Sequence, residues 1–368
     1  MGFKSAGMVK SYLSLTLNGH HFDQQELELF CSTQLANSTI AGWEGDIYRF
    51  ILEWLSEDDF VVVQTSGSTG IPKILRQPKS RMINSAMMTA EYFGLSAGIN
   101  GLLCLPVSYI AGKMMVVRAF VTGMNLITVE PSANPFAQLT VPIHFGAITP
   151  FQLANSIVTV DETNFGSLLV GGGEIPLDLE RCCADLQTAL YASYGMSETS
   201  SHIAIRKVNG ITKSPAYEVL KDISISVDQR GCLVIEAPGL VDEAIVTNDV
   251  VRIIDPTHFE WLGRIDYVIN TGGIKLFPEQ VEKKILSLVS GRFFIAGLPD
   301  VLLGEKVVLF IEGESFIAAE LKKLQKNLYL FLSRFEIPRE IIFIPHFDLS
   351  DSGKILKKQI VLSYLSVD

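Results

Sequence analysis

From residue 60 onward, short apolar runs rich in β-branched and aromatic residues recur about every 20 to 40 residues, each cut by Gly, Pro, Ser or a charge. The runs at 60–65, 102–106, 125–129, 143–148, 168–171 and 189–194 read as strands, and 80–93 between the first two has helix-forming composition. Strands alternating with helical segments argue for α/β layers. A turn-rich second group, at 223–227, 232–237 and 250–254, reads as a β-subdomain attached to the first. After Gly263-Arg264-Ile265-Asp266 the pattern shifts to a helix at 278–289, strands at 293–296 and 307–311, a helix at 317–334 and a strand at 340–345. That is enough chain for a small α+β domain. The expected division is a large domain over 1–265 and a small one over 266–368.

Composition narrows the class. With 48% hydrophobic and 19% charged residues, the 368-residue chain has ample material for buried cores. No apolar run approaches the roughly 18 residues of a membrane span, and Lys4 and Lys10 are not followed by an apolar leader. The expectation is a cytoplasmic protein. Five cysteines without C-x-x-C spacing argue against a zinc site or a disulfide framework. A net charge of −10 with no basic stripe disfavours nucleic acid as a partner. An anionic substrate must then be met by a local cluster of donors.

One such cluster follows the run 60–63. Thr65-Ser66-Gly67-Ser68-Thr69-Gly70-Ile71-Pro72-Lys73 combines glycines that expose backbone N–H groups with hydroxyls and a lysine, the ingredients of a polyphosphate cradle. It is not a Walker loop, because Ile71-Pro72 separates Gly70 from Lys73 and no hydroxyl residue follows the lysine. Further along, Gly171-Gly172-Gly173-Glu174-Ile175-Pro176 runs from an apolar strand into a turn where backbone can approach a flat ring; alone, it is equally an ordinary strand-to-helix turn. Tyr194-Gly195-Met196-Ser197-Glu198-Thr199 packs an aromatic, a glycine, a carboxylate and hydroxyls into six residues. Near the C-terminus, Ser352-Gly353-Lys354-Ile355 sets a lysine on a short glycine loop, with Lys357 and Lys358 close by.

The loop at 65–73 resembles the signature of the adenylate-forming enzymes, the superfamily of acyl-CoA synthetases, peptide-synthetase adenylation domains and luciferases. The later motifs follow in that superfamily's order. The resemblance implies a large N-terminal α/β domain with a β-subdomain, here trimmed at its N-terminus, and a small mobile α+β C-terminal domain. It implies ATP, Mg2+ and CoA as cofactors. By the same resemblance, Thr65, Ser66, Gly67, Ser68, Thr69, Gly70 and Lys73 would hold phosphates, and Gly172, Gly173 and Glu174 would form the adenine-side loop. Tyr194 and Gly195 would lie against adenine, with Thr199 on phosphate and Glu198 on Mg2+. One carboxylate suffices, since Mg2+ keeps phosphate and water ligands. Asp249 would bind ribose, Arg264 the nucleotide, and Asp266 would be a hinge. Gly273 would line a pantetheine tunnel, and Lys354 would be the catalytic lysine, although the Pro-x-Thr pair usual before it is replaced by Asp348-Leu349-Ser350-Asp351.

The implied chemistry has two steps: a carboxylate attacks the α-phosphate of MgATP, then a thiol attacks the acyl carbon. About 60 residues precede the phosphate loop, where most members have over a hundred. Among compact members, the run 105–115 looks like the acyl-pocket block of the o-succinylbenzoate–CoA ligases of menaquinone biosynthesis, with Ser108 where relatives carry histidine and Tyr109 beside it. A substrate with a second carboxylate needs a buried donor. Lys113, Arg118, His144, Ser201 and His202 are the candidates. Two other readings stay open: a stand-alone enzyme loading a carrier-protein thiol, and a nucleotide-binding sensor without turnover. An apolar face left by the trimming would favour a homodimer.

Overall fold

The computed structural model describes residues 12–64, 74–137, 139–162, 165–349 and 355–366. The chain separates into two compact units, one of residues 1–225, 235–245 and 255–258, the other of 226–234, 246–254 and 259–368. The second unit thus reaches back before residue 266 and interleaves with the first along the sequence.

In the first unit, β1 (Leu15–Leu17), β2 (His20–Phe22), β5 (Asn100–Leu103), β6 (Asn125–Thr128), β7 (Ile143–Ile148), β8 (Phe165–Val170), β9 (Ala189–Gly195), β10 (His202–Lys207) and β11 (Tyr217–Val219) lie in the order β11-β10-β9-β8-β7-β5-β6-β1-β2. Strands β5 to β9 run parallel, and β10 returns antiparallel to β9. From β5 the chain steps first to β6 on one side and then to β7 on the other. That reversal opens a crevice beyond the carboxyl ends of β5 and β7, where open α/β sheets take their ligands. Parallel strands are buried on both faces, so Leu102, Phe145, Leu168, Leu169 and Leu190 are all enclosed.

Two flanking helices differ in legibility. Lys79–Phe93 buries Met82, Ile83, Ala86 and Thr89, an i, i+3, i+4 stripe that the composition at 80–93 anticipates. Ile110–Thr122 is buried continuously from Gly112 to Phe120, so it has no polar face and no helical period to read. Strands β3 (Phe60–Gln64) and β4 (Ile74–Pro78) form an antiparallel pair in which Gln64 faces Ile74. Residues 65–73 therefore stand between the two strands of a hairpin.

The second unit takes in half of β12 (Ser224–Val227) and most of β13 (Cys232–Glu236), β14 (Ile245–Asp255) and β15 (His258–Arg264), neighbouring strands in that order whose remaining residues fall in the first unit. It also contains a separate sheet, β17-β16-β19-β18 with β20 on β19, built from β16 (Ile269–Thr271), β17 (Ile274–Leu276), β18 (Phe293–Asp300), β19 (Gly304–Glu312) and β20 (Glu340–Ile344). Along β19, Val307, Leu309 and Ile311 join one core with Val281, Ile285, Leu324 and Leu328 of helices Pro278–Ile285 and Ala318–Phe331. Val308 and Phe310 join another with Phe294, Phe347 and Ile360 of helix Lys357–Leu365. An uninterrupted apolar strand of period two on both faces requires such helix–sheet–helix layers.

Candidate active site

The carboxyl ends of β5, β7, β8 and β9 deliver their loops to one edge of the sheet. Ser108 and Tyr109 follow β5, both exposed, with Tyr109 at the start of helix Ile110–Thr122. Gly172, Gly173 and Glu174 follow β8 and are exposed; no heavy atom lies within 4 Å of a Cβ built on Gly172, whose φ is +81°. Tyr194 and Gly195 end β9, where the Tyr194 ring stands 5.9 Å from that of Tyr217. At Gly195 a Cβ would collide with the backbone of Ser201 and His202 across the β9–β10 turn, so only glycine allows this approach.

The turn after β9 is a single 3-10 segment, Ser197–Thr199. Glu198 is exposed, whereas Thr199 is fully buried. The Thr199 hydroxyl lies 2.7 Å from Ser201 O and 3.0 Å from Met196 O, and it accepts the Met196 N–H at 3.2 Å. It is thus used in closing the turn. Ser200 takes φ +65° and ψ −35°, a conformation that costs a residue with a side chain about 1–3 kcal/mol. Its Oγ accepts a hydrogen bond from the buried Gln77 Nε2 of β4.

Behind this turn lies a buried polar chain. Arg118, 2% exposed, donates from Nη2 to Ser201 Oγ at 2.9 Å and points Nη1 at Met115 Sδ at 3.5 Å. Ser201 Oγ lies 3.2 Å from His202 Nδ1, and His202 Nε2 lies 3.2 Å from Thr89 Oγ1, which donates to Ser85 O. These contacts are mutually consistent with a neutral His202 carrying its proton on Nε2. Burial, and then the charge of Arg118, hold His202 well below the usual histidine value. Burial also pulls the Arg118 guanidinium down to about 10, still protonated at neutral pH. No carboxylate among the described residues pairs with it; its charge meets a hydroxyl, a thioether and the face of Phe145 at 6.0 Å.

Other candidates are placed elsewhere. Lys113 turns toward helix Gly42–Leu55, where Nζ pairs with Glu53 at 3.3 Å and sits 4.2 Å from the Phe50 ring centroid. The recess beside it, about 210 Å³, also holds Ser108, Asp46 and Arg49, so its charges cancel. His144 is the second residue of β7, at the amino end of a parallel strand, and its Nδ1 accepts the Asn100 N–H at 3.0 Å. Neither is brought to the turn after β9. Thr65, Ser66, Gly67, Ser68, Thr69, Gly70, Lys73 and Lys354 lie outside the described residues.

In the second unit, Asp249 on β14 is buried and its Oδ1 accepts Trp261 Nε1 at 3.2 Å, with Arg264 Nη1 at 3.6 Å. Arg264 Nη2 donates to Asp266 at 2.7 Å. Burial works against ionised Asp266, but the bond and charge of Arg264 outweigh it and leave the carboxyl below its usual value. Gly272 and Gly273 are the two central residues of the β16–β17 hairpin, both with positive φ, +56° and +81°. A type I′ turn demands that geometry. Nothing lies within 4 Å of a Cβ on Gly273.

Gln77 and Ser200 went unnoticed in the sequence. They are 123 positions apart, and no local pattern marks a serine that will adopt positive φ.

Residues 20–231 match the family model described as AMP-binding enzyme. The 2-succinylbenzoate–CoA ligase of Enterococcus faecalis is 25% identical over 333 residues, covering 80% of this chain and 68% of that protein. An acyl-CoA synthetase (AMP-forming)/AMP-acid ligase II-like protein of Dyadobacter fermentans is 34% identical, with TM-score 0.61, over 91% of this chain and 98% of that one. The o-succinylbenzoate CoA synthetase of Bacillus subtilis, solved with the acyl-adenylate intermediate, superposes with TM-score 0.75 at 17% identity, over 97% and 96% of the two chains.

Proposed function

This chain belongs to the AMP-binding enzyme family, and from that premise we propose that it is an AMP-forming acid–CoA ligase acting on o-succinylbenzoate, as in menaquinone biosynthesis. The reaction would join a carboxylate to the α-phosphate of ATP, releasing pyrophosphate, and then exchange AMP for the thiol of CoA.

The observation that carries the substrate is Arg118. A buried guanidinium with no carboxylate partner among the described residues is a strong electrostatic demand, since truncating or omitting one partner of a buried pair costs about 3–5 kcal/mol. The second carboxylate of a keto-diacid meets that demand, and Ser201 and neutral His202 orient the guanidinium. A simple fatty acid or benzoate has no group to offer it. Lys113 and His144 are not assigned this role, because Glu53 and the Asn100 amide already engage them.

The residues present fit the implied cofactors. Gly172 and Gly173 leave backbone bare where a Cβ would cover it, as close approach by a flat adenine ring requires, whereas the absent Cβ of Gly195 makes room for the Ser201–His202 backbone of the turn. A lone exposed Glu198 suits Mg2+, which retains phosphate and water ligands, and no cluster of three or more acidic, histidine or cysteine ligands occurs among the described residues. When bound, Mg2+ would neutralise phosphate charge. Asp249 would accept the ribose hydroxyls, held in place by Trp261 and Arg264. The open space at Gly273 would admit a thiol chain, and Asp266, tied to Arg264, would be the hinge between a 1–265 core and a 266–368 lid. Lys354 would stabilise charge on the reacting carboxylate and α-phosphate, a donor role. Tyr109 would border the acyl group.

The test is incubation with MgATP, CoA and a panel of acids including o-succinylbenzoate, benzoates and fatty acids, with thioesters identified by mass. A dominant o-succinylbenzoyl-CoA product is expected. Equal turnover of monocarboxylates would overturn the substrate assignment, and adenylate without free-CoA thioester would point to a carrier-protein acceptor. No helix among the described residues is long and apolar enough to cross a membrane.

A further inference from the structure

We infer that the hydrogen bond from Gln77 to Ser200 is a positioning device that registers the Glu198–Thr199 turn against the β3–β4 hairpin. Three independent features meet there. Gln77 is polar yet 4% exposed, on the strand that returns from residues 65–73, and its amide donates to Ser200 Oγ. Ser200 is one of three residues other than glycine with positive φ among those described; Asn18 is of a type that tolerates this region, and Asp222 likewise, but serine is not. The next residue, Ser201, is pinned from the opposite side by Arg118, and His202 by Thr89.

The strained backbone and the bond explain each other. A serine in the usual extended region would carry its hydroxyl elsewhere, and the chain would leave the turn in a different direction. Held between β4 and helix Ile110–Thr122, residues 200 and 201 leave the three residues before them a single arrangement, with Thr199 folded into the turn and Glu198 outward. Glu198 makes no hydrogen bond or ion pair of its own among the described contacts, so its position is inherited from the backbone behind it. Gln77 and Ser200 thus act through Glu198, as positioning residues.

This rests on the proposed role of Glu198 as the Mg2+ carboxylate. It is tested without any acid substrate, by titrating the full chain with ATP in the presence and absence of Mg2+. Gln77→Met keeps length and packing but removes the donor; Ser200→Ala removes the acceptor and keeps the strain; Ser200→Gly removes both. Each is expected to reduce the Mg2+-dependent gain in ATP affinity about tenfold while leaving Mg2+-free ATP affinity near wild type; Ser200→Ala, which leaves the buried Gln77 amide without its acceptor, should also melt lower, whereas in Ser200→Gly the relief of backbone strain offsets that loss. A Gln77→Met/Ser200→Ala pair should be no worse than either single change, as for two ends of one contact. Wild-type behaviour of Ser200→Gly would overturn the inference, showing that the site needs only a tolerant backbone, as would additive effects in the double variant. Adenylate formation is assayed in parallel. A wild-type protein with Mg2+-dependent ATP affinity but no adenylate would defeat the ligase reading while leaving this coupling to be decided by the titrations.

Discussion

Replacing Arg118 with methionine should make the unliganded protein more stable and a worse enzyme for diacids. The fall of the guanidinium from its ordinary value to about 10 on full burial corresponds to about 3 kcal/mol against the charged form, at ~1.4 kcal/mol per tenfold change. Because the folded-state value lies below the unfolded one, that penalty is fully present at pH 7 and vanishes only as pH rises through about 10 toward the ordinary arginine value. Methionine fills much of the volume without needing solvation, so the unliganded melting temperature should rise by a few degrees; replacing buried ionic groups with apolar ones is often neutral or stabilising. Ser201 Oγ keeps His202 Nδ1 as a partner. With o-succinylbenzoate bound, the sign reverses. The substrate's free carboxylate would then be buried without a counter-charge, a loss of about 3–5 kcal/mol, or roughly 10²- to 10⁴-fold in kcat/KM. The assay pairs melting of the unliganded protein at pH 7 with kcat/KM for o-succinylbenzoate and for benzoate. A variant that melts lower and keeps the wild-type preference for the diacid would refute the reasoning.

Lys354→Ala is expected to slow pyrophosphate release about 10²- to 10³-fold with ATP binding retained, the scale of losing a transition-state donor; an unchanged rate in a pyrophosphate-coupled assay would remove the lysine from the mechanism. Glu279, at the start of helix Pro278–Ile285, is buried with one carboxylate oxygen unpartnered among the described residues, and burial raises its pKa. Its folded-state value lies above the unfolded one, so native stability falls as pH climbs through that interval. Glu279→Gln should raise the melting temperature at pH 7 to 8, and the difference should shrink toward pH 4 as the native glutamate takes up its proton. Gly195→Ala would drive a methyl into the Ser201–His202 backbone, and should cost about 2 kcal/mol or more in denaturant melts together with most of the activity; a fully active, equally stable variant would show that the β9–β10 turn is not held tightly.

The strands at 143–148, 189–194 and 340–345 were legible because dense β-branched and aromatic runs bounded by turn residues have few other uses, and the structure places strands at Ile143–Ile148, Ala189–Gly195 and Glu340–Ile344. Helix 80–93 carried its own stripe. Helix Ile110–Thr122 was not legible as a helix, since burial on every side erases the period. Strand β4 escaped notice because Ile74-Leu75-Arg76-Gln77-Pro78 looks like the tail of a polar loop until its register with β3 is seen. Helix Gly42–Leu55 does bear a helical stripe, with Ile47, Tyr48, Ile51, Trp54 and Leu55 buried, so its period was open to reading, whereas Gln24–Ala36 buries only Leu27 and Cys31 and shows no such stripe.

What the sequence alone determined is the inventory and order of chemical groups: a hydroxyl–glycine loop, a glycine turn, an aromatic–carboxylate–threonine turn, an aspartate, an arginine, a glycine pair and a lysine. Such short motifs are local, because backbone freedom and donor type are properties of a few adjacent residues. What only the tertiary structure decided is which candidate cations are free. Lys113, Arg118 and His144 are equally eligible on paper, yet Glu53 comes from 60 positions away to pair with the first and Asn100 from 44 positions away to engage the third. Arg118 alone of these three is left, folded against Ser201 from 83 positions away, with a buried charge and no described carboxylate. Whether a charge is satisfied depends on partners that the chain brings together only by packing, and that information is not local to any stretch of sequence.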